Sequence, residues 1–182
     1  SRGITIGDNQ YPRSIYTLWT EAERNAINIY TVTIDNTNLQ DSEWYINTNQ
    51  SYSFDGSAAT ASYGTATAKA HADANFTAQD ETDGLGTEGE LKSEGLKTKL
   101  IRKVKSAASN ELTKTDWYVT RKSEKTTTIP SAVSTHRDAV RTKQAAMETA
   151  ITNASDTPAL ITLYTRNVEG VRPLGDLPTK DF

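Results

Sequence analysis

Apolar side chains recur along this chain in two rhythms, and the change falls near its middle. Up to about residue 68 the spacing is short and alternating. Tyr30, Val32 and Ile34 stand at period two in IYTVTI, the pattern of a half-buried strand. EWYINTNQSYSF reads as two strands around Thr48-Asn49, with Trp44 and Ile46 on one face and Tyr52 and Phe54 able to pair across. DNTN at 35–38 and Asp55-Gly56 are turn chemistry, and SAATASYGTAT is a possible last strand. Before these strands TEAERNAI opens with a capping box, Thr20 as N-cap and Glu23 three residues on, so a short helix is expected with Ala22, Ala26 and Ile27 inward.

From about residue 94 the period lengthens to that of a helix. Leu96, Leu100, Val104, Ala107 and Ala108 mark one stripe, with Ile101 and Leu112 beside it and Lys97, Lys99, Arg102, Lys103 and Lys105 on the other faces. Val133, Val140, Met147 and Ile151 recur in a second long helix, opened by Pro130 or Ser131. The two stripes are expected to pack as a helical hairpin. A third, shorter helix starts near Ser155 and runs through TPALITLY, and VRPLGDLPTKDF, with two prolines, reads as extended. The fold class expected is therefore α+β. Residues 1–68 form a small antiparallel sheet with a short helix. Residues 69–93, acidic, Gly-rich and without periodic apolar pattern, form a linker or long excursion. Residues 94–182 form a helical zone with an extended tail.

Composition narrows the function classes. A 20.0 kDa chain with 35% hydrophobic residues and mean hydropathy −0.63 builds only a thin core, which fits a module stabilised partly by neighbours. Twenty basic and twenty-three acidic residues are interspersed, so no domain-wide basic field would attract nucleic acid. No apolar run approaches membrane-spanning length, so no membrane is expected. The absence of cysteine excludes disulfides and thiolate metal sites. SRGITIGDNQYPRSIY lacks the apolar core of a signal peptide, so the sequons at Asn49, Asn75 and Asn153 carry no expectation of glycosylation.

Three places carry candidate chemistry. GLGTEG, Gly84 to Gly89, matches G-x-G-x-x-G literally, but AQDETD precedes it instead of a buried strand, and its carboxylates would repel a pyrophosphate. His71 and Asp73 near Asp80, Glu81 and Asp83 offer oxygen ligands without an EF-hand spacing. Asp116, His136 and Asp138 are the best catalytic candidates, yet His136 and Asp138 stand two apart on one helix and point in different directions. A packing role accounts for more of this stretch. Thr115 can cap a helix starting at Asp116, and Trp117 gives that helix a large apolar anchor. Arg137 and Arg141 can reach Asp116 or Glu124 across the hairpin, or Asp138 locally. No catalytic residue, metal or cofactor is expected.

DNTNLQDSEWYINTNQSYSF (35–54), GTATAKAHAD (64–73), TKTDWYVTRKSE…IPSAVSTHRDAVRT and VRPLGDLP (171–178) together resemble structural proteins of tailed bacteriophages, particularly the tail-fibre-associated proteins of phages infecting marine cyanobacteria. The TDW…IP…R…VR part is also similar to the C-terminal helical segment of phage tail-fibre assembly proteins. Carried over, its pattern falls on Thr115-Asp116-Trp117, Ile129-Pro130, Arg137 and Val140-Arg141, with His136 where the pattern has Tyr. The resemblance implies a virion structural protein of the tail or fibre attachment, assembled in the host cytoplasm, without enzymatic activity. Its partners would be other tail or fibre subunits, with homo-oligomerisation. A non-virion assembly chaperone and a receptor- or glycan-binding tail module are the alternatives. The chain ends hold Ile4, Ile6, Tyr11, Leu174, Leu177 and Phe182 with few evident internal partners, so these residues are expected to dock on other subunits.

Overall fold

The computed structural model describes residues 3–182. In chain order the elements are β1 (Ile4–Ile6), β2 (Asn9–Tyr11), α1 (Ile15–Leu18), α2 (Glu21–Asn25), β3 (Val32–Asp35), β4 (Tyr45–Ile46), β5 (Gln50–Phe54), β6 (Ala59–Tyr63), β7 (Thr67–Ala68), β8 (Ala74–Asn75), α3 (Ala78–Thr82), β9 (Leu91–Ser93), α4 (Leu96–Thr113), α5 (Asp116–Lys125), α6 (Ser131–Asn153) and α7 (Thr157–Tyr164). The fold class is α+β, with small sheets early in the chain and helices in its second half. Two compact units divide it, Ser1–Thr67 and Ala68–Phe182.

In the first unit β1 and β2 form a hairpin across Gly7, whose positive φ of 57° suits a residue without a Cβ. The expected capping box is present: the Thr20 side chain accepts from the Glu23 backbone N–H, and Glu23 accepts from the Thr20 N–H at 2.7 Å. The helix it opens buries little, for Ala22 and Ala26 are exposed and Ile27 is half-buried. The larger sheet has the order β3-β6-β5. Asp55 sets the β5–β6 turn by accepting from the Ser57 and Ala58 backbone N–H groups. Those two bonds, with one from the Ser57 hydroxyl, hold its carboxyl below the usual range. The sheet is mixed rather than antiparallel throughout: β5 and β6 are antiparallel, but β3 joins β6 in parallel. The intervening β4 pairs with β7 instead of with β5 across Thr48-Asn49. The expected half-buried alternation of β3 also differs, because Val32 is 42% and Ile34 59% exposed. The buried apolar residues of this unit are Ile15, Trp44 and Ala61.

The second unit is organised by α4 against α6. Leu96, Leu100, Val104 and Ala108 are buried on α4, and Val133, Val140, Met147 and Ile151 on α6, so the helical stripes meet as the spacing requires. Ala107, expected in the stripe, is exposed at its margin. α7 begins at an Asp156 N-cap accepting from the Ala159 N–H, and Leu160 of α7 is fully buried.

Residues 69–93 are not a featureless linker. They hold β8, the capped helix α3 and β9, and they belong to the second unit. The physical reason lies at the start of α4. Its first N–H groups have no intrahelical acceptor. The Ala70 carbonyl accepts from Leu96 N–H at 2.8 Å, the His71 carbonyl from Lys97 N–H at 3.2 Å, and the Asp73 carboxylate from Gly95 N–H at 2.7 Å. A Cβ on Gly95 would stand 2.3 Å from the Ala72 carbonyl carbon, so only glycine allows this approach.

Candidate functional site

The residues singled out by the sequence meet where α4 ends and α5 begins. Arg137, buried on α6, points its Nη1 amino group at three acceptors: the Leu112 carbonyl at 2.8 Å, the Thr115 hydroxyl at 2.7 Å and the Asp116 carboxylate at 2.8 Å. The Leu112 carbonyl lies in the last turn of α4 and also accepts from the Thr115 backbone N–H at 3.0 Å. Arg137 therefore closes the end of one helix and ties it to the start of the next. Thr115 does not cap α5 as expected. It is fully buried, and its hydroxyl donates back to Leu112 O at 3.0 Å.

One turn before Thr115 stands Glu111. It continues the buried stripe of α4 three residues beyond Ala108 and is only 6% exposed. Its Oε1 accepts from His136 Nε2 and from the Lys180 backbone N–H, both at 3.1 Å, and its Oε2 from Lys114 Nζ at 2.6 Å. The Lys114 ammonium is the main cause holding the Glu111 carboxyl below its ordinary value, against the opposing effect of burial. An ionised carboxylate only accepts, so His136 carries its proton on Nε2. The Phe182 ring lies 5.2 Å from the His136 ring, and Lys180 Nζ sits 5.1 Å from the Phe182 centroid. The C-terminal tail is thereby strapped over the helix pair.

Asp116, His136 and Asp138 do not converge. Asp116 goes to Arg137, His136 to Glu111, and the exposed Asp138 to Arg141 at 3.2 Å. Trp117 is not a buried anchor. It is 49% exposed, stacked against Tyr118 with ring centroids 3.7 Å apart. Its neighbours on α5 explain this: no residue of that helix is buried. Pro130 is exposed and stands at the N-cap of α6.

The predicted docking residues separate into two groups. Leu174 is 3% exposed and donates its backbone N–H to Leu163 O, so it belongs to the interior of the second unit rather than to a free surface. Leu177, half-buried, lines a cleft of about 440 Å³ with Val104, Met147, Tyr164 and Leu174. Phe182 remains 46% exposed beside His136. In the first unit Ile4, Ile6 and Tyr11 are half-buried in the β1–β2 hairpin, and Tyr11 meets Trp19 edge to face at 5.9 Å.

The other candidates have local partners. His71 Nε2 lies 3.0 Å from the Thr157 hydroxyl. Asp80 caps α3 through Thr77 and pairs with Lys92, and the Lys92 hydrogen bond is the first cause that brings its carboxyl down to about 2. Among the described residues no group of three or more His, Asp or Glu side chains is placed to hold a metal ion. GLGTEG follows α3 as a turn, where the Phe76 ring occupies the space a Cβ on Gly86 would need. No helix among the described residues is long and apolar enough to cross a membrane.

Sequence could have located Glu111, since it falls on the α4 stripe at helical spacing. Its link to Lys180 spans 69 positions, and no local pattern signals that. Compared with known proteins, the chain matches no protein-family model, no curated protein and no solved structure.

Proposed function

We propose that this chain is a structural protein of a tailed-phage virion, a component of the tail or of its fibre attachment, that works by docking on neighbouring subunits. The observation that supports a docking role best is the uncovered face of the sheet in the first unit. Val32, Ile34, Tyr52 and Phe54 are 42%, 59%, 72% and 52% exposed. Exposed apolar side chains scattered singly are ordinary, but a contiguous set on one face marks a surface that another molecule covers. Of the residues with the strongest catalytic promise, Asp116 is engaged in the helix joint and His136 under the tail strap, while the exposed Asp138 pairs with Arg141.

The placement in a phage tail rests on the sequence resemblance. Mass spectrometry of purified particles tests it. Stoichiometric presence is the expected result, and absence from particles that nonetheless require the gene for fibre attachment transfers the proposal to an assembly chaperone.

A further inference from the structure

The C-terminal tail is fixed to the second unit at two places, and between them it leaves a cleft. Leu174 is the first fixed point, 3% exposed and with its backbone N–H donating to Leu163 O. Lys180 is the second, through its backbone N–H to Glu111. The stretch between them turns away from the helices. The Gly175 N–H folds back to the Arg172 carbonyl at 2.8 Å, and Pro178 has no N–H to offer a neighbouring segment. Leu177 sinks only half-way. On the α4 side the chain presents Ala107, whose methyl group does not fill the space. What remains is the cleft of about 440 Å³, walled by Ala107, Leu177 and Tyr164 and floored by the edges of Val104, Met147 and Leu174.

Size decides what kind of group fits. The volume is that of a cube about 8 Å on a side, narrower than the roughly 10–12 Å diameter of a helix with its side chains. An extended segment would leave its backbone donors and acceptors facing side-chain walls, without partners. Small-molecule sites, by contrast, span about 300–1,000 Å³.

Charge decides its chemistry. Four ionic side chains stand at the rim, and each is already engaged. Glu111 accepts from His136 and Lys114, and Asp176 from Arg166 at 2.9 Å and Arg172 at 2.8 Å. The Arg172 guanidinium also lies 5.4 Å from the Tyr164 ring centroid, and Lys103 has an interaction of its own. A charged ligand would lose its water here and meet no unengaged counter-charge. An uncharged apolar one gains contact with the walls at no such cost. Met147 brings a flexible, polarisable thioether and Tyr164 an aromatic ring, which suit an apolar body of irregular or planar shape.

The geometry points to a binding site in this cleft for a compact, uncharged, apolar small molecule, whose occupancy holds the tail strap closed. The molecule touches α4 and α6 on one side and Leu174 and Leu177 of the tail on the other, so a chain with its strap released binds it less well. Binding and strap closure therefore favour each other by the same factor. The site goes beyond the docking reading and does not rest on it.

The test uses the full chain. Met147 is its single methionine, so labelling the methionine methyl group gives one NMR cross-peak, from the floor of the cleft. Toluene is the probe. Benzoate and benzylamine, which add one charge of either sign to the same ring, are the controls. Toluene should shift the cross-peak saturably and slow the exchange of the Lys180 amide proton. Both controls should bind at least about tenfold more weakly. Ala107→Phe fills the cleft from an exposed position, and Leu177→Glu puts a charge on the tail wall. Each should weaken toluene binding by at least about tenfold, with circular dichroism checking that both variants fold. A titration of the wild-type chain that does not saturate overturns the proposal. So does equal binding of the charged controls, or wild-type affinity in either folded variant. Unchanged exchange at Lys180 with toluene bound overturns the coupling to the strap. None of these results touches the stoichiometry in purified particles, so the docking reading keeps its own test.

Discussion

The Glu111 carboxylate accepts a hydrogen bond from the Lys180 backbone N–H at 3.1 Å, joining the third-last residue to the middle of the chain. The same oxygen receives His136 Nε2, so one buried carboxylate serves the α4–α6 contact and the tail strap together. A buried acceptor shared in this way makes the end of the protein part of its interior. Several measurable consequences follow from that geometry and its surroundings.

Removal of residues 172–182 should destabilise the second unit rather than leave it intact. It exposes the Leu174 site, takes the Lys180 donor from Glu111 and uncovers His136. Burial of one leucine side chain alone is worth about 2 kcal/mol. A thermal melt followed by circular dichroism should show a lower midpoint for the truncated chain. An unchanged midpoint would mean that the strap contributes nothing to folding.

Acid should weaken the protein through its paired carboxylates. Glu111, Asp73, Asp80 and Asp176 all titrate below their ordinary values in the folded state. A group with a depressed folded pKa binds its proton more readily when unfolded, so its stabilisation is complete above the unfolded pKa and is lost as pH falls through the folded one. Stability should therefore drop from about pH 4.5 downward, continuing to about pH 2 for Asp80. For Glu111→Gln the midpoint difference from wild type should be largest near neutrality and shrink below pH 4. A difference constant from pH 7 to pH 3 would remove Glu111 from this account.

The two arginines that the sequence paired should differ sharply in effect. Arg137→Ala strips donors from a buried hydroxyl, a helix-end carbonyl and a carboxylate, and should cost about 2–3 kcal/mol in chemical denaturation. All three bonds come from the one Nη1 nitrogen, so Arg137→Lys, whose ammonium carries three donors on a shorter stem, should recover part of the loss. Arg141→Ala removes only an exposed pair with Asp138 and should cost less than about 1 kcal/mol. Equal costs would show that Arg137 is not the tie between α4 and α5.

Trp117→Ala should leave the fold nearly as stable as before, with a loss of about 1 kcal/mol or less, since the side chain is half exposed on a helix that buries nothing. A buried tryptophan would cost about 3–5 kcal/mol. A loss of that size in urea unfolding would place Trp117 in a core and would remove α5 as a free surface.

The amino-acid sequence by itself determined the local elements wherever one turn of chain carries the whole signal. The capping box at Thr20 and Glu23, the Asp55-Gly56 turn and the α4 and α6 stripes are all legible, because spacing and side-chain chemistry within a few residues decide them. The separation into a strand-forming first part and a helical second part follows from the change of apolar period. Tertiary structure alone decided the rest. β3 and β5 both pair with β6, one in parallel, since strand partners depend on which backbone donors and acceptors meet across long separations. Trp117 stays half exposed although its type favours burial, because its ring is bordered by Tyr118, Arg121 and the 127–130 connection rather than by a core. Residues 69–93 are ordered because the start of α4 needs acceptors, a demand invisible within those residues. Leu174 and Glu111 become interior for the same kind of reason: an apolar or charged side chain is buried only when a distant segment supplies its partner, and the sequence pattern around it carries no record of that segment.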